Sequence, residues 1–475
     1  MIAASLGVLA EQVGCGAVPG RRSGRRPFRA SLLLLAGLAL AGCTRAPKDR
    51  IALIGATVID GSGGEPQSDV VVLVHGSKIE SIEPRAGFKL PKTAVAVDVS
   101  GKFIIPGLID AHAHVARWAL TRYLAYGVTT VRDLHGNQDS ILGLKEQAGR
   151  SAIVSPRIYS AGAMIDGDPP TYPDATVVKT EDEARRAVDA RVVAGVDYLK
   201  TYTRITPTLL KAVLGEAANF HVPVAAHLGL TDALTASRMG VRSIEHLTGI
   251  PEAIVKKPEA IYAAHRQSFF AGWTAFEHSW ATLDSASLYA LADQLAKNGV
   301  TMVPTLTVHE TFSRLDDPAT YQSQDLKIIP DSEMQRWNVP GMIARAGWKA
   351  ADYDAFRKAR PVQDLFLRAF RSAGGTIVTG TDAINQLLVP GASEHTELAL
   401  LVDAGLTPGD ALLAATHNGA VLLGADSIGM LLPGKAADLV VLGADPLADI
   451  ANTRRVEQVM VRGLLLKADS LRSHW

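Results

Sequence analysis

Eight short apolar runs alternate with amphipathic stretches between residues 103 and 382, and this alternation constrains the fold more than any other feature of the chain. The stretches between the runs carry the start and stop signals of helices, such as Thr180 and Glu183 before periodic apolar positions and Gly195 after them. The runs, at 103–110, 129–133, 157–161, 198–201, 222–227, 243–246, 302–306 and 376–382, have the length of β-strands. Strands alternating with helices over roughly 300 residues favour a TIM (β/α)8 barrel. A doubly wound open sheet is the alternative, but no glycine-rich phosphate loop follows any of the runs.

Further β-prone segments flank this region on both sides. They lie at 51–59, 70–74, 78–82 and 95–99 before it, and at 437–442 and 456–462 after it. Segments so remote in sequence could pair with one another only if the barrel brings the two ends of the chain together.

The N-terminal segment differs from the remainder in charge. The chain as a whole has 48 basic and 48 acidic residues, but residues 1–42 carry a net charge of +4 and the remainder −4. A neutral total gives no electrostatic basis for a nucleic-acid partner, which normally shows as a basic excess. The arginines of this segment precede a run of about ten apolar residues, which would form a helix about half as long as a membrane core is thick. The segment is therefore typical of a signal peptide rather than of a membrane span.

Leu40, Ala41, Gly42 and Cys43, at the end of this apolar run, resemble a bacterial lipobox. The resemblance implies cleavage before Cys43 and lipid attachment to its thiol; an ordinary secretory signal with an incidental cysteine is the alternative. Residues 25–28, Arg-Arg-Pro-Phe, also fit the core of a twin-arginine signal. We expect residues 1–43 to direct export, with the mature protein anchored by lipid on the periplasmic face of a bacterial membrane.

Residue types that bind metals stand at the ends of five predicted strands. His112 and His114 occupy alternate positions of an extended segment, so both imidazoles face the same side. The other strand ends carry Lys200, His227, His246 and Asp382. Singly, each has an ordinary explanation, such as a hydrogen-bonded core histidine, a surface lysine or a helix N-cap. Together they lie at the face where TIM barrels carry their active sites, and so predict a metal centre.

The stretches PGLIDAHAHV, GVTTVRDL, VDYLKTY, AAHLGL, SIEHLTG, GTDA, AGLTP and GKAADLVVL resemble the amidohydrolase superfamily over residues 50–465. The branch they are most similar to contains imidazolonepropionase-like proteins and bacterial prolidase-type dipeptidases. This resemblance implies an α/β fold in which a TIM barrel, residues 106–424, is inserted into a small β-sandwich made from residues 50–105 and 425–466. It also implies a hydrolase of C–N bonds, with a dipeptide or an N-acyl amino acid as substrate.

The same resemblance implies roles for the residues at the strand ends. Two divalent metals would share them, the first on His112, His114 and Asp382 and the second on His227 and His246. Lys200, carboxylated by CO₂, would bridge the metals, because a protonated amine beside two cations is strongly disfavoured. Zn²⁺ is the expected metal, and Mn²⁺, Co²⁺ or Fe²⁺ also suit these donors. A water shared by the metals would attack the amide carbonyl, and Asp382 would pass its proton to the leaving amine.

Substrate contacts are expected from Tyr202 and Arg204, which can hydrogen-bond a carboxylate or a carbonyl, and from His135, which follows the second strand. The segment 163–175 is rich in proline, glycine and aspartate, and we expect a loop without regular structure there. The insertion 309–361 is expected either to cover the metals as a lid or to decorate the barrel rim with helices.

Alternative functions stay open at this point. A mononuclear enzyme that opens a cyclic amide or deaminates a ring is disfavoured by Lys200, because a single metal needs no bridging carboxylate. Hydrolysis of a lactone or a phosphotriester would use the same metal pair. A periplasmic binding lipoprotein without activity predicts a partly lost ligand set, whereas all six positions are filled. The sequence leaves the side-chain preference and any homo-oligomerisation undecided.

Overall fold

The computed structural model describes residues 49–473 and 475. Its strands, in chain order, are β1 Arg50–Val58, β2 Gln67–His75, β3 Lys78–Pro84, β4 Ala94–Asp98, β5 Phe103–Pro106, β6 Leu108–Ala113, β7 Val128–Asp133, β8 Arg157–Ser160, β9 Ile165–Asp166, β10 Thr176–Val177, β11 Leu199–Thr201, β12 Val224–Ala226, β13 Ser243–Glu245, β14 Thr301–Val303, β15 Thr376–Ile377, β16 Leu439–Leu442, β17 Val456–Val461 and β18 Leu464–Lys467.

The α-helices are α1 Leu120–Ala125, α2 Gln138–Gly149, α3 Glu181–Ala194, α4 Pro207–Asn219, α5 Ala233–Met239, α6 Ile250–Ile254, α7 Glu259–Gln267, α8 Phe269–Trp280, α9 Ser285–Lys297, α10 Leu306–Ser313, α11 Asp331–Trp337, α12 Val339–Ala346, α13 Ala350–Ser372, α14 Ala392–Asp403, α15 Pro408–Ala414, α16 His417–Leu423 and α17 Ala468–Arg472. Short 3-10 helices lie at Arg117–Ala119, Pro318–Gln322, Gln324–Ile328 and Ile450–Arg454.

Helix α3 begins and ends where its sequence predicts. The Thr180 hydroxyl accepts a hydrogen bond from the backbone N–H of Glu183 at 3.2 Å, which satisfies one of the free donors of the first turn. Gly195 ends the helix with φ 86°, a left-handed conformation that glycine adopts at little cost. The buried face of α3 includes Ala184 and Val188, which pack into the main core.

The two ends of the chain meet in one eight-stranded sheet. Its strand order is β18-β17-β16-β5-β1-β2-β3, and β4 pairs with β1. The contact between the ends is the antiparallel pairing of β16 with β5, in which Val440 lies opposite Ile105. Fully buried apolar side chains, among them Val72, Ile104 and Met460, form a separate core under this sheet. Segments more than 300 residues apart therefore pair in this sheet, although the partner of β16 is β5, which belongs to the run predicted as the first barrel strand.

Parallel strands build the central part of the described chain, as predicted for an α/β fold. One sheet has the order β6-β7-β8, and a second has the order β10-β9-β11-β12-β13-β14-β15. Hydrogen bonds connect their edges: Asp197 N–H donates to the Ser160 carbonyl at 2.8 Å, and, among several at the other edge, Ala111 N–H donates to the Thr379 carbonyl at 3.0 Å. The arrangement resembles a TIM barrel, with the strand ends that carry the candidate ligands on one face.

The predicted strand 103–110 is wrong as a single element, because it divides at Gly107 into β5 and β6. Strand β5 belongs to the terminal sheet, whereas β6 pairs with β7 in the central part. A side chain at position 107 would collide with Thr129, so only glycine allows this close approach. The apolar run is continuous across both strands, and hydrophobicity alone therefore gave no sign that the pairing partner changes.

The expectation of a loop without regular structure at 163–175 is partly wrong. The segment 163–175 is not wholly irregular, because it contains β9, in which Ile165 pairs with Thr201 of β11.

The predicted signal segment and Cys43 lie outside the described residues. Within residues 49–473 and 475, no helix combines the length and the apolar character that crossing a membrane requires.

Candidate metal centre

The six predicted ligands come together at the carboxyl ends of the central strands. His112 lies in β6 and Lys200 in β11, while the remaining four directly follow strands or stand a few residues beyond them: His114, His227, His246 and Asp382. The backbone of both His246 and Asp382 is left-handed, with φ 59° at each. Non-glycine residues adopt this conformation only where the surroundings enforce it, and such positions cluster at functional sites.

Asp382 is the point on which the imidazoles converge. Its Oδ1 atom lies 2.9 Å from Nε2 of His114 and 3.2 Å from Nε2 of His112. The ring of His246 lies 4.4 Å from that of His112, measured between centroids, and 4.7 Å from that of His227. Burial opposes ionisation of the Asp382 carboxyl, but the contacts with the imidazoles of His112 and His114 outweigh it and hold its pKa well below the usual range.

Three of these residues offer ligand atoms close enough for one ion. Donor atoms of His112, His246 and Asp382 lie within 4.8 Å of one another, and all three side chains are buried. Two imidazoles and a carboxylate are a donor set that suits Zn²⁺ and other divalent transition metals. His112 and Asp382 belong to the ligand set that the resemblance implies for the first metal, and His246 to that for the second. The two sets therefore lie in one compact centre.

A second layer of polar groups orients the histidines. The Nδ1 atom of His112 lies 2.7 Å from Oε2 of Glu245, and the Arg132 guanidinium lies 3.0 Å from Oε1 of the same carboxylate. Burial would raise the pKa of Glu245, but Arg132 and His112 together lower it to about 2. A carboxylate that accepts the Nδ1 proton leaves the Nε2 lone pair of His112 free for a ligand.

Two of the other imidazoles, those of His114 and His246, have equivalent partners. The Nδ1 atom of His114 lies 2.8 Å from the carbonyl oxygen of His135, and that of His246 lies 2.6 Å from the hydroxyl of Thr305. Sequence reasoning missed Glu245, Arg132 and Thr305. A signal for Glu245 was available, since a carboxylate directly precedes His246 at the end of a buried strand.

Lys200 and His227 have buried nitrogen atoms without a partner. Lys200 is 2% exposed, and neither its Nζ atom nor Nδ1 of His227 has a hydrogen-bond partner among the described residues. Burial lowers the pKa of Lys200 to about 8. Burial and the charge of the neighbouring Lys200 lower the pKa of His227 well below its usual value. Buried polar atoms are almost always hydrogen-bonded, so unpartnered ones facing a cavity fit an additional bound group.

A cavity of about 790 Å³ opens above these residues. One wall is aromatic and comes from α8, with Phe269, Phe270 and Trp273. The insertion between β14 and β15 supplies part of another wall, including Phe312, Met342 and Arg345. The insertion therefore helps to enclose the cavity, which agrees better with the expected lid than with a decoration of the barrel rim.

The predicted substrate contacts divide into two groups. Tyr202 lines the cavity, with its ring 4.5 Å from that of His227, and His135 lines it next to His114. Arg204 does not share this position: among the described residues it lines a second cavity, together with Lys179 and Arg266. The turn that follows β11 places Arg204 away from the cavity that Lys200 lines.

Residues 103–466 match the family model described as the amidohydrolase family. The chain is 25% identical to the imidazolonepropionase of Deinococcus radiodurans over 81% of its own length and 88% of that protein. Among solved structures, a bottromycin amidohydrolase superimposes with a TM-score of 0.69 at 24% identity, covering 91% of this chain and 90% of the other. A Xaa-Pro dipeptidase with bound methionine in its active site superimposes with a TM-score of 0.64 at 22% identity, covering 88% of this chain and all of the other. The two structural likenesses show a shared fold.

Proposed function

Because the chain belongs to the amidohydrolase family and is therefore a hydrolase of C–N bonds, we propose that it cleaves the amide bond of a dipeptide or an N-acyl amino acid with two divalent metal ions. The proposal rests above all on the convergence of His112 and His114 on Asp382 beside the unpartnered amine of Lys200. It includes a closed barrel over residues 106–424, inserted into a β-sandwich of residues 50–105 and 425–466.

The residues present fit the proposed metals. One ion would be held by His112, His114 and Asp382, and the other by His227 and His246. Lys200, carboxylated on Nζ, would bridge them, and its buried amine without a protein partner supports this assignment. When bound, such ions lower the pKa of water and polarise the carbonyl of the substrate.

Asp382 has the position and the charge of a general base and acid. Its carboxylate is ionised and faces the cavity, so it can accept a proton from an attacking water. The same carboxyl then delivers that proton to the nitrogen of the leaving amine. Glu245 and the carbonyl of His135 accept the Nδ1 protons of His112 and His114, and the Nε2 lone pairs would serve as metal ligands, so neither imidazole would compete for this proton.

The cavity walls support a substrate with an apolar acyl group and a free carboxylate. Phe269, Phe270 and Trp273 offer an apolar surface that fits the acyl group. Arg345 lines the same cavity and has no ion-pair or hydrogen-bond partner among residues 49–473, whereas Arg336 beside it is paired with Glu333 at 2.6 Å. Arg345 therefore offers a guanidinium that is free to bind the substrate carboxylate.

Arg345→Gln is expected to raise KM for an N-acyl amino acid about tenfold and to leave kcat nearly unchanged, because one charge-assisted hydrogen bond in the ground state is lost. Steady-state kinetics on a pair of substrates provides the control. The matching N-acyl amino acid amide has no carboxylate, so its KM should respond little to the substitution. An equal change for both substrates would assign Arg345 to packing rather than to recognition.

A hydrolysis screen tests the proposed function. The purified full chain is assayed with dipeptides, N-acyl amino acids, cyclic amides, lactones and phosphotriesters, with and without a chelator. We expect turnover of acyclic amides that the chelator abolishes. Turnover of lactones or phosphotriesters alone would overturn the proposal in favour of another reaction at the same centre, and turnover of cyclic amides alone would favour a mononuclear enzyme.

We propose further that the enzyme is exported and lipid-anchored through Cys43, which the signal-like residues 1–43 support. Cys43→Ser is expected to move the protein from the membrane fraction to the soluble periplasmic fraction of the producing bacterium, because the acylated thiol is lost. Immunoblots of the two fractions measure this. An unchanged distribution would show that Cys43 carries no anchor.

A further inference from the structure

A second cavity, of about 950 Å³, lies apart from the metal centre. It is bordered by the turn after β9, the start of α3 and the start of α4. None of the six candidate metal ligands lines it, and its lining shares no residue with that of the first cavity. Whatever binds in this second cavity would therefore do so independently of the amide substrate.

Arg204 is the unusual residue of this second cavity. It is 7% exposed, and its side chain has no hydrogen-bond or ion-pair partner among the described residues, with Nε fully buried. The nearby carboxylate of Asp166 forms no ion pair with this guanidinium; its oxygens accept the backbone N–H groups of Gly167 at 2.9 Å, Arg204 at 2.8 Å and Thr171 at 2.7 Å. A buried guanidinium without a counter-charge is costly unless an anion joins it.

The N-terminus of α4 opens on the same cavity. This helix has 13 residues, begins after the N-cap Thr206 and has no acidic residue in its first turn. Thr206 and Thr208 both line the cavity. The amino end of a helix carries a partial positive charge that suits an oxyanion. Pro207 has no N–H and that of Leu209 donates to the Thr206 hydroxyl at 3.4 Å, which leaves the N–H of Thr208 as the backbone donor of this turn.

The acidic side chains around the cavity already have cationic partners. Asp168 lies 3.2 Å from Lys179, and Arg185 pairs with both Glu181 and Asp182, at 3.0 Å and 2.8 Å. Arg266, which is exposed, also lines the cavity and has no partner among the described residues. The lining thus holds four cations and three carboxylates, a net charge of +1, and its two arginines without a partner in the described part of the chain are Arg204 and Arg266.

We propose that this cavity binds a small oxyanion, either inorganic phosphate or the carboxylate of a small molecule, between Arg204, Arg266 and the N-terminus of α4. A planar guanidinium can donate two parallel hydrogen bonds to such a group, and the helix end adds a favourable dipole. The proposal does not depend on the reaction at the metal centre.

Isothermal titration calorimetry of the full chain with inorganic phosphate, and separately with acetate, tests the proposal. We expect binding of at least one of the two anions, and the anion that binds identifies the class of ligand. Arg204→Gln should weaken it about tenfold or more, because a charge-assisted pair of hydrogen bonds is lost. Arg150→Gln is the control: this exposed arginine pairs with Glu146 at 2.7 Å and lines neither cavity, so the affinity should stay within about twofold.

Circular dichroism shows whether the variant Arg204→Gln folds, since Arg204 is buried. If it does not fold, Arg266→Gln provides the test instead. Arg266 is exposed, so its replacement should leave the fold intact and weaken anion binding about threefold. An anion that binds at the metal centre would give the same calorimetric signal in all these variants. Its contribution can therefore be told apart from binding in the second cavity. Absence of binding to the unaltered chain, or equal affinity in the chain and every folded variant, would overturn the proposal.

Discussion

Asp382→Asn is expected to lower kcat about a thousandfold, because the variant keeps the shape of the side chain but loses the carboxylate that moves the proton. The amide can still occupy the space between His112 and His114, which lie 3.2 Å and 2.9 Å from Oδ1. It cannot accept a proton from water, and it is a weaker ligand for a divalent ion. The effect should therefore appear mainly in kcat rather than in KM.

The measurement is steady-state hydrolysis of the amide substrate that the screen identifies, together with the metal content of each preparation. Asp293→Asn is the control, since this carboxylate pairs with Lys297 on the exposed side of α9 and does not line the cavity. Its kcat should stay within about twofold of the unaltered chain. A kcat for Asp382→Asn within about tenfold of the unaltered value would mean that another group transfers the proton.

Lys200→Ala is expected to abolish activity and to reduce the bound metal from about two ions per chain to one or fewer. Lys200 is 2% exposed and its Nζ has no partner among the described residues, so the loss of its side chain breaks no hydrogen bond within the protein. A large effect would consequently come from the missing bridge between the metals. Elemental analysis and kinetic assays on the same samples provide both readouts.

Rescue by small acids separates this explanation from a simple loss of packing. Acetate or propionate can enter the space left by the side chain and supply a carboxylate, so part of the activity should return with increasing acid concentration. Lys145→Ala, which removes a lysine paired with Asp197 at 2.7 Å, should retain its metal and need no rescue. Full activity in Lys200→Ala would end the proposal of a carboxylated lysine.

The candidate ligands could be predicted because each belongs to a local pattern. His112 and His114 alternate at the end of one apolar run, and His227 and His246 each end another. The parallel α/β fold places the carboxyl ends of such strands on one face, so a prediction of the fold was at the same time a prediction of the site. The strand that contains Gly107 shows where this reasoning fails, since one apolar run serves two different sheets.

Arg204 is the clearest case of a residue whose surroundings the sequence could not reveal. Only four positions separate it from Lys200, yet it lines a different cavity, because the chain turns after β11 and its backbone is fixed by Asp166. Spacing along the chain indicates proximity, but the direction of a side chain beyond a strand end depends on the turn.

The sequence by itself indicated the α/β fold class and the six residues proposed for the metal centre, because hydrophobic period and strand-end position are local properties. Only the tertiary structure decided which groups hold those residues in place. Glu245 meets His112 across 133 positions of sequence, and Arg132 meets Glu245 across 113. Contacts of this kind arise from the packing of whole strands against one another, and no local pattern of residues specifies them.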